Sequence, residues 1–214
     1  MKFLFLTILL ISCTSEKVDN EIEVPPAIEK SEGSGIPESS VSEENTGGCL
    51  GKSCFSGNAQ IVFLPTTNQY ELRSNGKAVG ILPLSFDNEG GEMQKISLLK
   101  TRSQYVVIYQ YGSVDIGSKV ESFARHNLAK KWSLDVPGFN LGFATKGNAL
   151  YVGVIDFAGK IDLKKGKYVW KQTGLFKKYD YNGPDYIRVY EKEVRFISGT
   201  KIIKMDKNTG KILP

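Results

Sequence analysis

The chain has 214 residues, of which 41% are hydrophobic and 11% aromatic, and its net charge is +5. That is enough apolar material for a sizeable core and too much for a wholly disordered protein. One His excludes sites built from several imidazoles, and three Cys exclude a dense disulfide scaffold and a four-Cys zinc or iron–sulfur site.

Met1-Lys2 gives a positive start, and Phe3 to Ile11 is apolar apart from Thr7. A helix needs about 20 residues to cross a bilayer, so this run fits a secretory signal better than a span. It ends in Leu10-Ile11-Ser12-Cys13, which resembles the lipobox of bacterial lipoproteins. The resemblance implies that residues 1–12 are removed and that Cys13 carries the lipid. Two or three acyl chains then hold the protein at a membrane where one would not. Thr14, where some lipoproteins have Asp, points to the outer membrane in a cell that has one. An ordinary signal peptide with a chance Cys is the competing reading.

Residues 14–48 lack hydrophobic periodicity and are rich in Glu, Ser, Gly and Pro, with nine acidic and two basic side chains. Such a composition buries too little apolar surface to offset the entropy of ordering, so a disordered tether is expected. Residues 50–214 carry 25 basic and 14 acidic side chains, an excess the whole-chain figure hides. A basic body suits an acidic envelope protein or an anionic polymer, or is simply a solvated Lys-rich surface. No nucleic-acid-binding motif is present.

Cys49 and Cys54 flank a short loop at the end of the tether. An even count of the remaining thiols in an exported protein favours a structural disulfide, with a free or redox-active pair as the alternative. The expected organisation is residues 1–12 signal, residues 13–54 lipidated Cys, tether and Cys loop, and residues 55–214 a basic globular domain.

From Phe55 onward short runs rich in Val, Ile, Tyr and Phe alternate with Gly, Asn, Asp and Lys turns, predicting an all-β domain. No amphipathic helix stands out. One unit reads as Leu141–Thr145, Ala149–Phe157 up to an Ala158-Gly159 turn, Lys160–Leu163 and Lys167–Gln172. Units of this kind recur before and after it, the earliest (Gln60–Phe86) lacking a first strand.

Asp206-Lys207-Asn208-Thr209-Gly210-Lys211 resembles the Asp-x-x-Thr-Gly-Lys-x-x-Trp turn of PQQ-like β-propeller repeats, with Pro214 where the Trp would be. Asp162 to Trp170 keeps the Asp, Gly166, the Lys and the Trp. Ala124 to Trp132 keeps only the Trp. The resemblance implies a small β-propeller, or a propeller-like arc, of about four four-stranded blades; a β-sandwich is the alternative. It implies structural roles for Trp132 and Trp170 in docking on a neighbouring blade, and for Asp162, Asp206, Thr209, Gly166 and Gly210 in the turns.

No catalytic residue, metal site or cofactor site is expected. His126 reads as a surface turn residue, and the Asp-rich stretches at 87–92 and 180–185 as loops. Tyr179, Tyr181 and Tyr186 beside Arg188 form a possible binding surface, since aromatic and Arg residues favour hot spots. The expected function is a lipid-anchored, non-enzymatic envelope scaffold that binds a protein. An immunity or inhibitor lipoprotein and a glycan- or peptide-acting enzyme are the alternatives.

Overall fold

The computed structural model describes residues 49–50, 53–85, 92–112 and 116–214, with side chains from Ser56 onward. The expected signal peptide, Cys13 and the acidic tether lie outside the described residues, and the Cys49–Cys54 pairing lies outside the described side chains. Everything described belongs to one unit, Ser40–Pro214.

In chain order the strands are β1 (Cys49–Leu50), β2 (Ser53–Ser56), β3 (Ala59–Leu64), β4 (Gln69–Ser74), β5 (Lys77–Ile81), β6 (Met93–Lys100), β7 (Gln104–Tyr111) and β8 (Gly117–Ala124). They continue with β9 (Lys130–Val136), β10 (Gly142–Lys146), β11 (Ala149–Val154), β12 (Phe157–Asp162), β13 (Lys167–Thr173), β14 (Tyr186–Val189), β15 (Glu193–Ser198) and β16 (Lys201–Asp206). They form four antiparallel meanders: β2 to β5, β6 to β9, β10 to β13, and β14 to β16. This is an all-β, propeller-like series of four blades. β1 pairs with the free edge of β6, making the second sheet five-stranded. The fourth sheet has three full strands, and Ile212 bridges to Met205 beside β16.

Three apolar clusters join consecutive sheets. The first joins sheets one and two through Ile61, Leu72, Ile96, Val107 and Phe123. The second joins sheets two and three through Val106, Ile108, Val120, Leu150 and Val152. The third joins sheets three and four through Tyr151, Trp170, Val194, Phe196 and Met205. Among the described residues no apolar cluster joins the fourth sheet back to the first.

The strand sequences explain this order. Along β7, Tyr105, Val107 and Tyr109 belong to the first cluster while Val106 and Ile108 belong to the second. A strand buried on both faces reads as an unbroken apolar run. In β16 only alternate residues are buried, Ile203 and Met205, as a one-sided sheet requires.

Three sequence expectations are corrected. The first unit does have its first strand, β2, in which Cys54 pairs with Ile61. The turn after β11 falls at Ile155-Asp156, with Asp156 at φ 63, and Ala158-Gly159 lie inside β12. Asp tolerates the left-handed region. Gly159 serves packing instead, because a Cβ there would stand 2.9 Å from the Tyr168 ring. A single helical turn, α1 (Leu175–Tyr179), links sheets three and four, and it is too short to leave a periodic signal.

Candidate interaction surface

At the joint between sheets three and four, Trp170 on β13 lies against Gly210 in the turn after β16. A Cβ on Gly210 would sit 2.6 Å from the indole Cδ2. The Trp170 Nε1–H donates to the Lys207 carbonyl at 3.1 Å. Between sheets two and three, Trp132 on β9 lies against Gly166 so closely that a Cβ would overlap the ring. Both glycines have positive φ, 61° and 72°.

Each turn is organised by its Asp. Asp206 Oδ1 accepts from the N–H groups of Asn208 and Thr209 and from the Thr209 hydroxyl, at 3.0, 2.8 and 2.8 Å. Those bonds, the Thr209 N–H first, hold the Asp206 carboxyl below the usual carboxylate range. Asp162 Oδ1 accepts from the N–H groups of Lys164 and Lys165 and from the Asn148 amide. Burial pushes the Asp162 carboxyl up, but the Lys165 and Lys164 N–H bonds outweigh it and the net direction is down.

The first joint uses the same positions with the sizes exchanged. Gly80 pairs with Leu72 beside a bulge, as Trp132 pairs with Ser122 and Trp170 with Lys160. In the facing turn, the Leu128 N–H bonds the Ala124 carbonyl at 3.0 Å, as Gly166 bonds Asp162 and Gly210 bonds Asp206. Leu128, at φ 54, fills the space left by Gly80, its Cδ1 3.2 Å from where a Gly80 Cβ would be. Neither residue matches the repeat motif, so sequence comparison passes over both.

The fourth sheet buries one face in the third cluster and presents the other. Its register aligns Tyr186, Ile197 and Ile202 in one cross-strand row, and Arg188, Arg195 and Lys204 in the next. Tyr186 is 40% exposed and Ile202 51%, while Ile197 between them is 5% exposed. The Arg188 guanidinium lies 5.1 Å from the Tyr186 ring centre. Arg195 bonds Glu193 at 2.5 Å and lies 4.3 Å from the Tyr190 ring centre. Like charges directly opposite one another destabilise a sheet, so this row of three cations opposes the fold's own stability.

The four residues expected to form one binding surface are therefore divided. Tyr186 and Arg188 stand on the outer face. Tyr179 is partly buried against the third cluster, and Tyr181 is fully buried in it. Tyr181 is held inside because Gly153 leaves room for its hydroxyl, where a Cβ would come within 2.7 Å. Burial pushes the Tyr181 hydroxyl well above the ordinary range. His126 is exposed at the turn before Leu128. Asp180 pairs with Lys201, and Asp185 accepts from the Gly199 N–H at 2.6 Å, so both serve local structure.

Sequence reasoning missed Glu121, a carboxylate with no exposed side-chain surface on β8. It accepts from Tyr109 Oη and the Ser85 N–H, both at 2.9 Å, and pairs with Lys130 at 2.8 Å. Burial raises its proton affinity, but the Lys130, Ser85 and Tyr109 bonds outweigh burial and the net direction is down. Tyr109 is pushed up by burial and by Glu121. The cluster ties Ser85, which follows β5, to the second sheet.

Two cavities border the third joint. One, of about 310 Å³, is lined by Lys146, Lys160, Lys207 and Tyr151, with Asp162 its single lining carboxylate. The other has Lys178, Tyr179 and Pro214 on its wall and no carboxylate side chain. Among the described residues no group of three His, Cys, Asp or Glu side chains is placed to hold a metal.

No family model matches the chain, and no curated protein matches its sequence. Among solved structures, BamB from Moraxella catarrhalis is similar over 76% of this chain and 50% of its own, at 14% identity and a TM-score of 0.47. Apo AztD from Citrobacter koseri is similar over 77% of this chain and 46% of its own, at 17% identity and a TM-score of 0.45. The chain spans about half the length of each.

Proposed function

We propose that this chain is a lipid-anchored cell-envelope protein that acts as a non-enzymatic scaffold, binding a protein partner through the outer face of its fourth sheet. The observation that carries the reading is the pair of rows on that face, Tyr186, Ile197, Ile202 beside Arg188, Arg195, Lys204. An apolar strip flanked by Arg and aromatic side chains is the composition of interface hot spots. The cations favour an acidic partner and speed its encounter. The carboxylates nearest to chemistry are spent on structure: Asp162 and Asp206 in turns, Glu121 in a buried ion pair. The lipobox supplies the location, with Cys13 as the lipidated residue, and Cys49 and Cys54 form the bridge in that oxidising compartment.

The test is photo-crosslinking in intact envelopes with a reactive residue at Ile202, and with Val79 on the first sheet as control; Val79 is 41% exposed. A discrete adduct with a second protein from Ile202 alone supports the reading. Equal adducts from both positions, or none from Ile202, overturn it.

A further inference from the structure

The second and third joints use the same positions of the repeat, but they fill them differently. In sheet two, Leu99, Val106, Ser122 and Trp132 form one cross-strand row. The matching row of sheet three is Ala144, Tyr151, Lys160 and Trp170. Ala144, Tyr151 and Trp170 belong to the cluster shared with sheet four, so Lys160 stands between two aromatic side chains on a packed face. The repeat does not call for a lysine there, since the second joint has Ser122.

The next position along each face differs too. In sheet two it is Gln104, opposite Ala124, and its amide reaches the Leu163 carbonyl at 2.6 Å. Gln104 and Leu163 are both buried. In sheet three the same place is Ala149, opposite Asp162 and Lys146. Lys207, which follows Asp206 as Leu163 follows Asp162, takes the place of the buried Leu. Ala149 is too short to fill the space that Gln104 fills, and the cavity of about 310 Å³ lies there, lined by Lys146, Lys160 and Lys207.

We propose that this cavity binds a phosphate group, free or carried on a small organic molecule. The three lysines form no ion pair among the described residues. The one lining carboxylate, Asp162, already accepts three hydrogen bonds through Oδ1. Lys160 Nζ donates to the Lys207 carbonyl at 3.1 Å and lies 5.7 Å from the Tyr151 ring centre, neither of which neutralises its charge. Burial, then the Lys207 charge, push the Lys160 ammonium below its ordinary range, against Asp206 and Asp162. A dianion placed among three ammonium groups relieves both effects, and lysine binds phosphate as a point charge. The volume is that of a small-molecule site, with Val169 and Ala149 as an apolar wall for an organic remainder.

The experiment is titration calorimetry of the full chain, extracted from membranes, at constant ionic strength. The probes are inorganic phosphate, glucose 6-phosphate and glucose. One phosphate-bearing probe per chain is expected, and no binding of glucose. Lys160→Gln and Lys207→Gln should each weaken binding about tenfold or more. Ala149→Gln, which fills the space as the second joint does and keeps the net charge, should weaken it as well. Lys131→Gln, at an exposed lysine outside the cavity, should leave it unchanged. Tighter binding of glucose 6-phosphate than of inorganic phosphate assigns the site to a phosphorylated organic ligand; equal binding assigns it to the free ion.

An absence of saturable phosphate binding overturns the proposal. So does an equal loss in Lys131→Gln and Lys160→Gln, which marks attraction by the basic body as a whole, or full binding in Ala149→Gln. Circular dichroism checks that each variant folds. If Lys160→Gln does not, Lys146→Gln at the end of β10 takes its place, with the same loss expected and unchanged binding overturning the site. None of the residues changed lies in the two rows of the fourth sheet's outer face, so the outcome is independent of the proposed function.

Discussion

Replacing Gly210 by Ala probes the joint between the third and fourth sheets. The added methyl meets Trp170 Cδ2 at 2.6 Å, at a backbone φ of 72°. Two costs follow. An L side chain in the left-handed region costs about 1–2 kcal/mol. Forcing the indole out of a packed site, where Trp170 is 8% exposed, adds about 1–3 kcal/mol. Gly210→Ala alone is therefore expected to lose about 2–5 kcal/mol. Trp170→Ala removes the ring and leaves a cavity, at about 3–5 kcal/mol. In the double variant the methyl no longer meets the indole, so only the backbone cost is added. The two changes then sum to about 1–3 kcal/mol less than their separate losses. The assay is urea unfolding of the four proteins, comparing midpoints at constant m. Trp132 remains as the fluorescent reporter when Trp170 is gone. Losses that add to within about 0.5 kcal/mol refute the claim that Gly210 exists to seat this ring.

Other outcomes follow from the same geometry. Trp170→Phe is expected to cost about 1 kcal/mol more than Trp132→Phe. Only Trp170 loses an indole bond, because the Leu163 carbonyl at the other joint is taken by the Gln104 amide and Trp132 Nε1 has no partner among the described residues. Equal losses in urea unfolding would contradict this. Glu121→Ala removes the centre of a buried cluster and should destabilise by about 3 kcal/mol, read as a lowered urea midpoint. Asp162, Asp206 and Glu121 all have folded pKa values below their ordinary ones. Their stabilisation is complete above about pH 5 and is lost as pH falls through the folded values. Unfolding midpoints should therefore drop between pH 5 and pH 2, with a shallower slope in Asp206→Ala. Intact-mass spectrometry of the membrane-extracted protein should show loss of residues 1–12, a diacylglyceryl group on Cys13, and a mass lower by two hydrogen atoms for the Cys49–Cys54 bond; Cys13→Ala should leave the membrane fraction.

The blade series was legible because its signals are local. The strand runs, the Asn75-Gly76 turn and the Asp206–Gly210 motif each follow from a few adjacent residues. Even the order of the sheets is written in the chain, since β7 is apolar without a break and β16 alternates. The exchange of sizes at the first joint was not legible, because Gly80 and Leu128 are matched only in space, across two sheets. The burial of Glu121 was hidden for a similar reason. It lies between Lys119 and Phe123 on one side of β8, where period alone gives the face but not the Tyr109, Ser85 and Lys130 groups that make the charge tolerable. Tyr181 read as surface because a Tyr in a polar loop usually is. The hollow above Gly153 that takes it belongs to another strand.

The outer face of the fourth sheet differs in its chemistry from the faces that pack at the inner joints. At each inner joint the facing side chains are apolar: Ala144 and Tyr151 meet Val194 and Phe196 in the third cluster. The knob is a large side chain over a small one. On the outer face of the fourth sheet both conditions fail. Pro214 stands where the repeat would place its Trp, and the middle row is Arg188, Arg195 and Lys204. A further sheet of the same kind would bury three cations with Glu193 as the one paired carboxylate, at several kcal/mol for each charge left without a partner. A second copy stacking through this joint is therefore disfavoured by the same rule that lets the inner sheets pack. Whatever covers Tyr186 and Ile202 must bring its own carboxylates, and that requirement selects an acidic partner.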